Sequence, residues 1–347
     1  MPTRFFLFLM LCVCSAAFRP PNRVVLLANK AQKKIEVLID GKPFTAYIFP
    51  GAEVLKKAVL YPIRTASGTV ITRGWPLDPR PNERIDHPHH VGMWLNYESV
   101  NGHDFWNNST AIDPAHSAAT YGTIVHTGIQ KMQSGRDHAT LVVTADWLDK
   151  NGQKMLGETT TYVFSGHANR RTIDRITTLT ALDSVVVFKD VKDGMFAIRL
   201  ARELEHPAKT PEIFTDANGI ATTVPALNND GVSGNYLNSN GIEGEAAWGK
   251  RAKWCDLRGT INNENIHVVV FDHPKNVGFP TYWHARGYGL FAANPLGQKV
   301  FSNGKEQLNF KLLPRQTTTF KFRTVIQTGE LDNDTTNQIF DDFSTQY

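Results

Sequence analysis

The chain has 347 residues, 41% hydrophobic and 20% charged, with a formal charge of +4 at pH 7 and a pI near 8.8. That is enough apolar material for a substantial core, in one large domain or two small ones. No run of five or more Lys or Arg is present, which excludes the basic stripe of a nucleic-acid footprint.

The N-terminus has a cationic start at Arg4, an apolar run from Phe5 to Val13 and small residues at Ser15, Ala16 and Ala17. This is the layout of a secretory signal peptide. The run is shorter than the ~20 residues a membrane helix needs, so stable membrane insertion after cleavage is not expected. Removal of residues 1–17 is expected to leave an exported protein, periplasmic or extracellular, and to lower the formal charge of +4 by one. Cys12 and Cys14 leave with it, and whether the mature protein is lipid-anchored stays open. Cys255 then remains alone between Trp254 and Asp256, so no intramolecular disulfide can form and the core must carry stability. It reads as a buried, unreactive thiol.

Downstream, strand-like runs dominate. VVLLA and KIEVLID come first, then ATLVVTADWL, ETTTYVF, RTIDRITTLTAL, VVVF, HVVVFD and TTTFKFRTVIQT. Several alternate apolar and polar residues, as half-buried antiparallel strands do. Asn-Gly pairs and an Asp-Gly-Lys stretch mark turns between them. The longest polar segment is 225–247, and only the last dozen residues are a helical candidate. The pattern predicts an all-β chain, residues 18–347 forming a single large antiparallel β-sandwich.

Chemistry-bearing residues concentrate in three stretches. The first, residues 86–106, reads DHPHHVGMWLNYESVNGHDFW, and six of the 12 histidines fall between His87 and His126. In an extended segment His87 and His89 share a face and His90 points away. H-x-H can give a metal two imidazoles, with Asp86, Glu98 or Asp104 to complete the site. The same histidines can instead move protons without a metal, or cap a turn. The second stretch, WGKRAKWCD at 248–256, follows Glu243 and Glu245; its Lys250 and Arg251 suit a carboxylate or sugar hydroxyls. The third, residues 271–295, repeats Asp-His-Pro and adds Tyr282, Trp283, His284 and Arg286; alternation puts His284 and Arg286 on one face and Trp283 on the other. His126 ends the strand-like GTIVH, and Arg199 lies in the apolar FAIRLA, where a partner such as Glu158 or a substrate anion is expected. Nucleotide-binding glycine motifs and a G-x-S-x-G elbow are absent.

YPIRTASGTVITRGWPLD, DHPHHVGMWLNYESVNGHDFW, GKRAKWCD and FDHPKNVGFPTYWHARGYGLFAANPLG together resemble an uncharacterised bacterial family that carries the name methane oxygenase PmoA, over about residues 50–328. Val91 stands where the family pattern has Arg. The name conflicts with the sequence, because no apolar run of 18 residues follows the signal. The resemblance implies a protein of unknown function from carbohydrate-processing gene sets, with a β-sandwich of the galactose-mutarotase type.

The expectation is therefore an exported enzyme using histidine acid–base chemistry on a carbohydrate, uronate or related polyol, as epimerase, lyase or hydrolase. His89 or His90 is the expected base and His284 the acid, with His126 a further catalytic candidate. Arg286, Lys250, Arg251 and Glu245 are expected to bind substrate, with Trp94, Trp106, Tyr282 and Trp283 packing on it. One alternative is an oxygenase or hydrolase holding a divalent metal on His87 and His89; another is a non-catalytic carbohydrate-binding protein. The sequence leaves the oligomeric state open.

Overall fold

The computed structural model describes residues 24–113 and 117–347; the expected signal peptide lies outside them. In chain order the strands are β1 (Val24–Asn29), β2 (Lys34–Ile39), β3 (Lys42–Ile48), β4 (Val59–Leu60), β5 (Met93–Tyr97), β6 (Thr123–Gln133), β7 (His138–Leu148), β8 (Lys154–His167) and β9 (Arg170–Ala181). They continue with β10 (Val186–Val187), β11 (Gly194–Arg199), β12 (Asn235–Asn238), β13 (Trp254–Ile261), β14 (Glu264–Asp272), β15 (Tyr282–Arg286), β16 (Leu290–Asn294), β17 (Lys311–Leu312) and β18 (Thr317–Thr328). Among the described residues two α-helices lie late in the chain, α1 (Gln298–Phe301) between β16 and β17 and α2 (Asn333–Gln346) after β18.

Sixteen of these strands form two eight-stranded antiparallel sheets, one ordered β1-β2-β3-β4-β5-β11-β16-β15, the other β12-β13-β14-β18-β9-β8-β7-β6, and β10 and β17 pair with each other. The predicted alternation is visible in β7, whose burial switches at nearly every residue along HATLVVTADWL. The inner faces of the sheets meet in one core. Phe196 of the first stacks on Phe322 of the second at 4.8 Å, and Phe44 meets Phe164 edge-on at 6.5 Å. The molecule is thus the expected all-β antiparallel sandwich. No helix among the described residues is long and apolar enough to cross a membrane.

The outer face of the second sheet is covered by α2, whose Ile339, Phe340 and Phe343 pack on Trp254, Val269, Phe271 and Val325. Asp332 caps the helix by accepting from the Thr335 amide at 2.7 Å. The outer face of the first sheet is covered differently. Four residues stand in one cross-strand row: Trp94 opposite Ala197, Ala197 opposite Ala292, and Ala292 opposite His284. Directly paired residues share a face, so Trp94 and His284 flank a floor of two alanines. Two residues along, Arg199 pairs with Leu290 and Leu290 with Arg286. Trp283 and Ala285 point the other way, into the core. At one end of this face Phe301 of α1 lies edge-on to His284 at 6.2 Å, and at the other the loop carrying the histidines folds over it, His90 stacking on Trp94 at 5.4 Å.

Candidate functional site

Asp86-His87-Pro88-His89-His90 is a turn and not a strand. The His90 amide donates to the His87 carbonyl at 2.9 Å, and His87 has φ +44. Proline favours the second position of such a turn. The expected alternation of His87 and His89 against His90 therefore fails. The three rings cluster instead: His87 stacks on His90 at 4.7 Å, and His89 lies edge-on to His90 at 4.3 Å.

Arg73 pins the turn. Its buried guanidinium donates to the carbonyls of Asp86 (2.8 Å), His87 (2.9 Å) and His90 (3.0 Å) and to Asp86 Oδ1 (2.6 Å). Arg199 donates to the same Oδ1 at 2.7 Å, so one carboxylate serves two buried cations. Burial pushes the Asp86 pKa up, but Arg199, His87 and Arg73 outweigh it and hold the carboxyl far below its usual range. The expected partner Glu158 is instead bound by Arg175 at 2.9 Å and by the Trp147 indole at 2.8 Å. Glu205 lies 3.7 Å from Arg199 and accepts from Arg84 Nε at 2.7 Å. Burial raises the Glu205 pKa to about 7 against both arginines.

Tyr288, which the sequence reading passed over, joins this cluster to open space. Its ring stacks on His87 at 5.0 Å, lies 4.7 Å from the Arg199 guanidinium and 5.6 Å from that of Arg286. Two stretches nearly 200 residues apart in sequence thus meet on one phenol ring. Tyr288 also lines a cleft of about 450 Å³ with Arg84, His206, Lys209, Glu212, Glu245, Trp248 and Arg286. Trp248 is 36% exposed, the one tryptophan among the large hydrophobic side chains left open to solvent in the described residues. His206 is 8% exposed, its ring 4.9 Å from Tyr236, and its buried Nε2 has no partner among the described residues.

A family model described as a family of unknown function (DUF6807) matches residues 34–341. The chain belongs to that family. The match is wider than the motifs at 50–328 implied, and it does not confirm the methane-oxygenase name. No curated protein matches this DUF6807 chain. Among solved structures it is similar to the galactosidase domain of alpha-galactosidase-sucrose kinase (8% identity, TM-score 0.40, 88% of this chain and 42% of the other). It is also similar to an alpha-galactosidase from Geobacillus stearothermophilus (9%, 0.39, 88% and 40%) and to galactose 1-epimerase from Lactobacillus acidophilus (12%, 0.37, 90% and 100%). The chain spans about two fifths of the two galactosidases. At TM-scores below 0.5, none of these likenesses carries a functional argument.

In the DUF6807 chain the sequence-predicted residues divide. Glu245 and Arg286 line the cleft, and His284 stands behind it, 6.4 Å from the Trp248 ring. His284 Nδ1 donates to the Lys192 carbonyl at 2.9 Å, which places the proton there and leaves Nε2 as acceptor. Burial lowers its pKa to about 4, although Asp193, 3.8 Å from Nδ1, opposes. His89 and His90 are buried and do not line the cleft; burial and neighbouring cations lower His89 to about 2 and His90 well below its usual value. Trp94, Trp106 and Trp283 are fully enclosed and cannot stack on a sugar, which corrects their expected role. Their size fills the core on either side of the sheet, and residue type alone does not tell a core indole from a binding one.

Arg251 bonds Glu306 at 2.7 Å, its guanidinium over Tyr282 at 4.4 Å, and neither lines the cleft. Lys250 is exposed and also outside it. His126 lies in the second sheet, 4.1 Å from the Phe49 ring, with Nδ1 3.0 Å from the Tyr47 hydroxyl, and lines a separate cavity of about 340 Å³. His87 and His89 do not make a metal centre: among the described residues no group of three or more His, Cys, Asp or Glu is placed to hold an ion. Of the carboxylates offered as their third ligand, Asp86 is held by Arg73 and Arg199 at 2.6 and 2.7 Å, while Glu98 and Asp104 belong with Asp193, and burial with these like charges raises Glu98 to about 7. The donor set does not fit a metal, and no step is routed through one.

Proposed function

We propose that this protein is a carbohydrate-active enzyme that binds its sugar in the cleft between Trp248 and Tyr288 and works by imidazole acid–base chemistry. The observation that carries this reading is the cleft's composition. An open indole faces a ring of fixed hydrogen-bonding groups, within the few hundred Å³ of a small-ligand site. A sugar has an apolar C–H face for the indole and hydroxyls for the carboxylates and cations around it. His206 is the imidazole in the cleft, and burial lowers its pKa, favouring the neutral ring. It is the group best placed to take or give a proton. His284 supports the wall behind Trp248. Epimerisation, elimination and hydrolysis are all open to such a set. An exported location follows from the leader-like residues 1–17, and intact-mass analysis of secreted protein tests it.

The test of activity is a panel of sugars and short glycans incubated in D₂O and followed by NMR. Deuterium wash-in at a ring carbon reads epimerisation or elimination, and new reducing ends read hydrolysis. Wild-type protein should transform at least one member. His206→Ala should abolish this with its melting temperature unchanged, and Trp248→Ala should weaken binding of the same sugar. Turnover that survives His206→Ala would contradict the assigned role.

A further inference from the structure

We propose that the sugar bound in this cleft is an acidic one, a uronic acid or a glycan ending in one, with its carboxylate held by Arg286; the inference rests on the sugar-binding reading above. The argument is a census of charge. Arg84 is occupied on both sides, by Glu205 at 2.7 Å and Glu212 at 2.9 Å. Lys209 is paired with Glu245 at 2.5 Å. The deeper cations Arg73 and Arg199 share Asp86 at 2.6 and 2.7 Å. Arg286 is the remaining cation on the cleft wall, and it makes no ion pair or side-chain hydrogen bond among the described residues.

Its position is nevertheless built. The Arg286 carbonyl accepts from the Tyr236 hydroxyl at 3.0 Å and from the Gly289 amide at 3.0 Å, which fixes the end of β15. Its guanidinium lies 5.6 Å from the Tyr288 ring. A guanidinium held this way presents a planar fork that matches a carboxylate with two parallel hydrogen bonds. One uncompensated cation suits one negative charge. A phosphate dianion would face Glu212 and Glu245 with a single counter-charge. Those two carboxylates, neutralised by their own partners, can accept from sugar hydroxyls. His206, with an unpartnered buried Nε2, adds a second group in the same cleft whose needs the protein leaves unmet.

Calorimetric titration with glucuronate, galacturonate and their parent hexoses tests the inference on wild-type protein and on Arg286→Gln, Arg286→Lys and Trp248→Ala. Lys250→Gln, outside the cleft, is the control. A bidentate charge-assisted pair is expected to make at least one uronate bind about tenfold or more tighter than its hexose. Arg286→Gln should remove that preference by bringing uronate affinity down to that of the hexose, Arg286→Lys should keep part of it, Trp248→Ala should weaken acid and hexose alike, and Lys250→Gln should change neither. Equal, Trp248-dependent binding of acid and hexose would overturn the carboxylate anchor and leave the sugar reading standing. A preference that persists in Arg286→Gln would also overturn the anchor. Failure of every sugar to bind wild-type protein would overturn both.

Discussion

Asp86 shows what holds the histidine cluster together. Its Oδ1 is the acceptor for two fully buried guanidiniums, Arg73 and Arg199. Removing one partner of a buried pair leaves an uncompensated charge, at a cost of roughly 3–5 kcal/mol. Asp86→Asn is therefore expected to lose about that much in urea unfolding, and a loss below about 1 kcal/mol would show the network to be dispensable. The histidines make a second prediction. His89 falls from its ordinary 6.5 to about 2, chiefly by burial. Below pH 6.5 the unfolded chain takes up a proton that the folded His89 refuses, so stability drops as pH falls through that range. His89→Gln should make the loss between pH 6.5 and 4.5 shallower than in wild type. Glu205, raised to about 7, acts with the opposite sign but is common to both proteins and cancels in the difference. An unchanged slope would contradict the burial of a neutral His89. The density of Asp86–His90 was legible in the sequence, because residue type is enough to flag it. Its arrangement was not, because alternation presupposes a strand and Pro88 closes a turn.

At the scale of elements, the strands themselves were readable. TTTFKFRTVIQT is β18 residue for residue, and all of the last dozen residues but Tyr347 lie within α2. Their order in the sheet was not. β5, β11, β16 and β15 are neighbours although up to about a hundred residues separate them in the chain, and only tertiary pairing puts Trp94 and His284 on one row. The entry to β5 depends on Gly92. It has φ +59, a Cβ there would lie 2.2 Å from the Leu60 carbonyl oxygen, and its own carbonyl accepts from the Arg199 amide at 2.9 Å. Gly92→Ala must shift that backbone and the Arg199 that hangs from it. A loss of about 2 kcal/mol or more is expected in denaturant midpoints, where a surface glycine such as Gly41, with nothing near its Cβ, should lose less.

At the scale of the whole molecule, the sandwich uses its two outer faces differently. One is sealed by α2, and the other carries a charged, aromatic site under loops. The cleft's decisive residues were half legible. Glu245 and Arg286 stood in or beside dense stretches, and so did Trp248 and Tyr288, but residue type did not tell Trp248 from the buried Trp254 and Trp283 or single out Tyr288; His206 is a lone residue in an unremarked segment. What made them a site is convergence of the segments at 205–212, 245–248 and 285–288. The central claim is that this convergence is a sugar site, and a crystal structure with bound uronate tests it most directly. The account predicts electron density for a sugar ring against the Trp248 indole, its carboxylate within hydrogen-bond reach of Arg286 and a hydroxyl near His206. An empty cleft at saturating sugar, or density confined to the cavity beside His126, would contradict it.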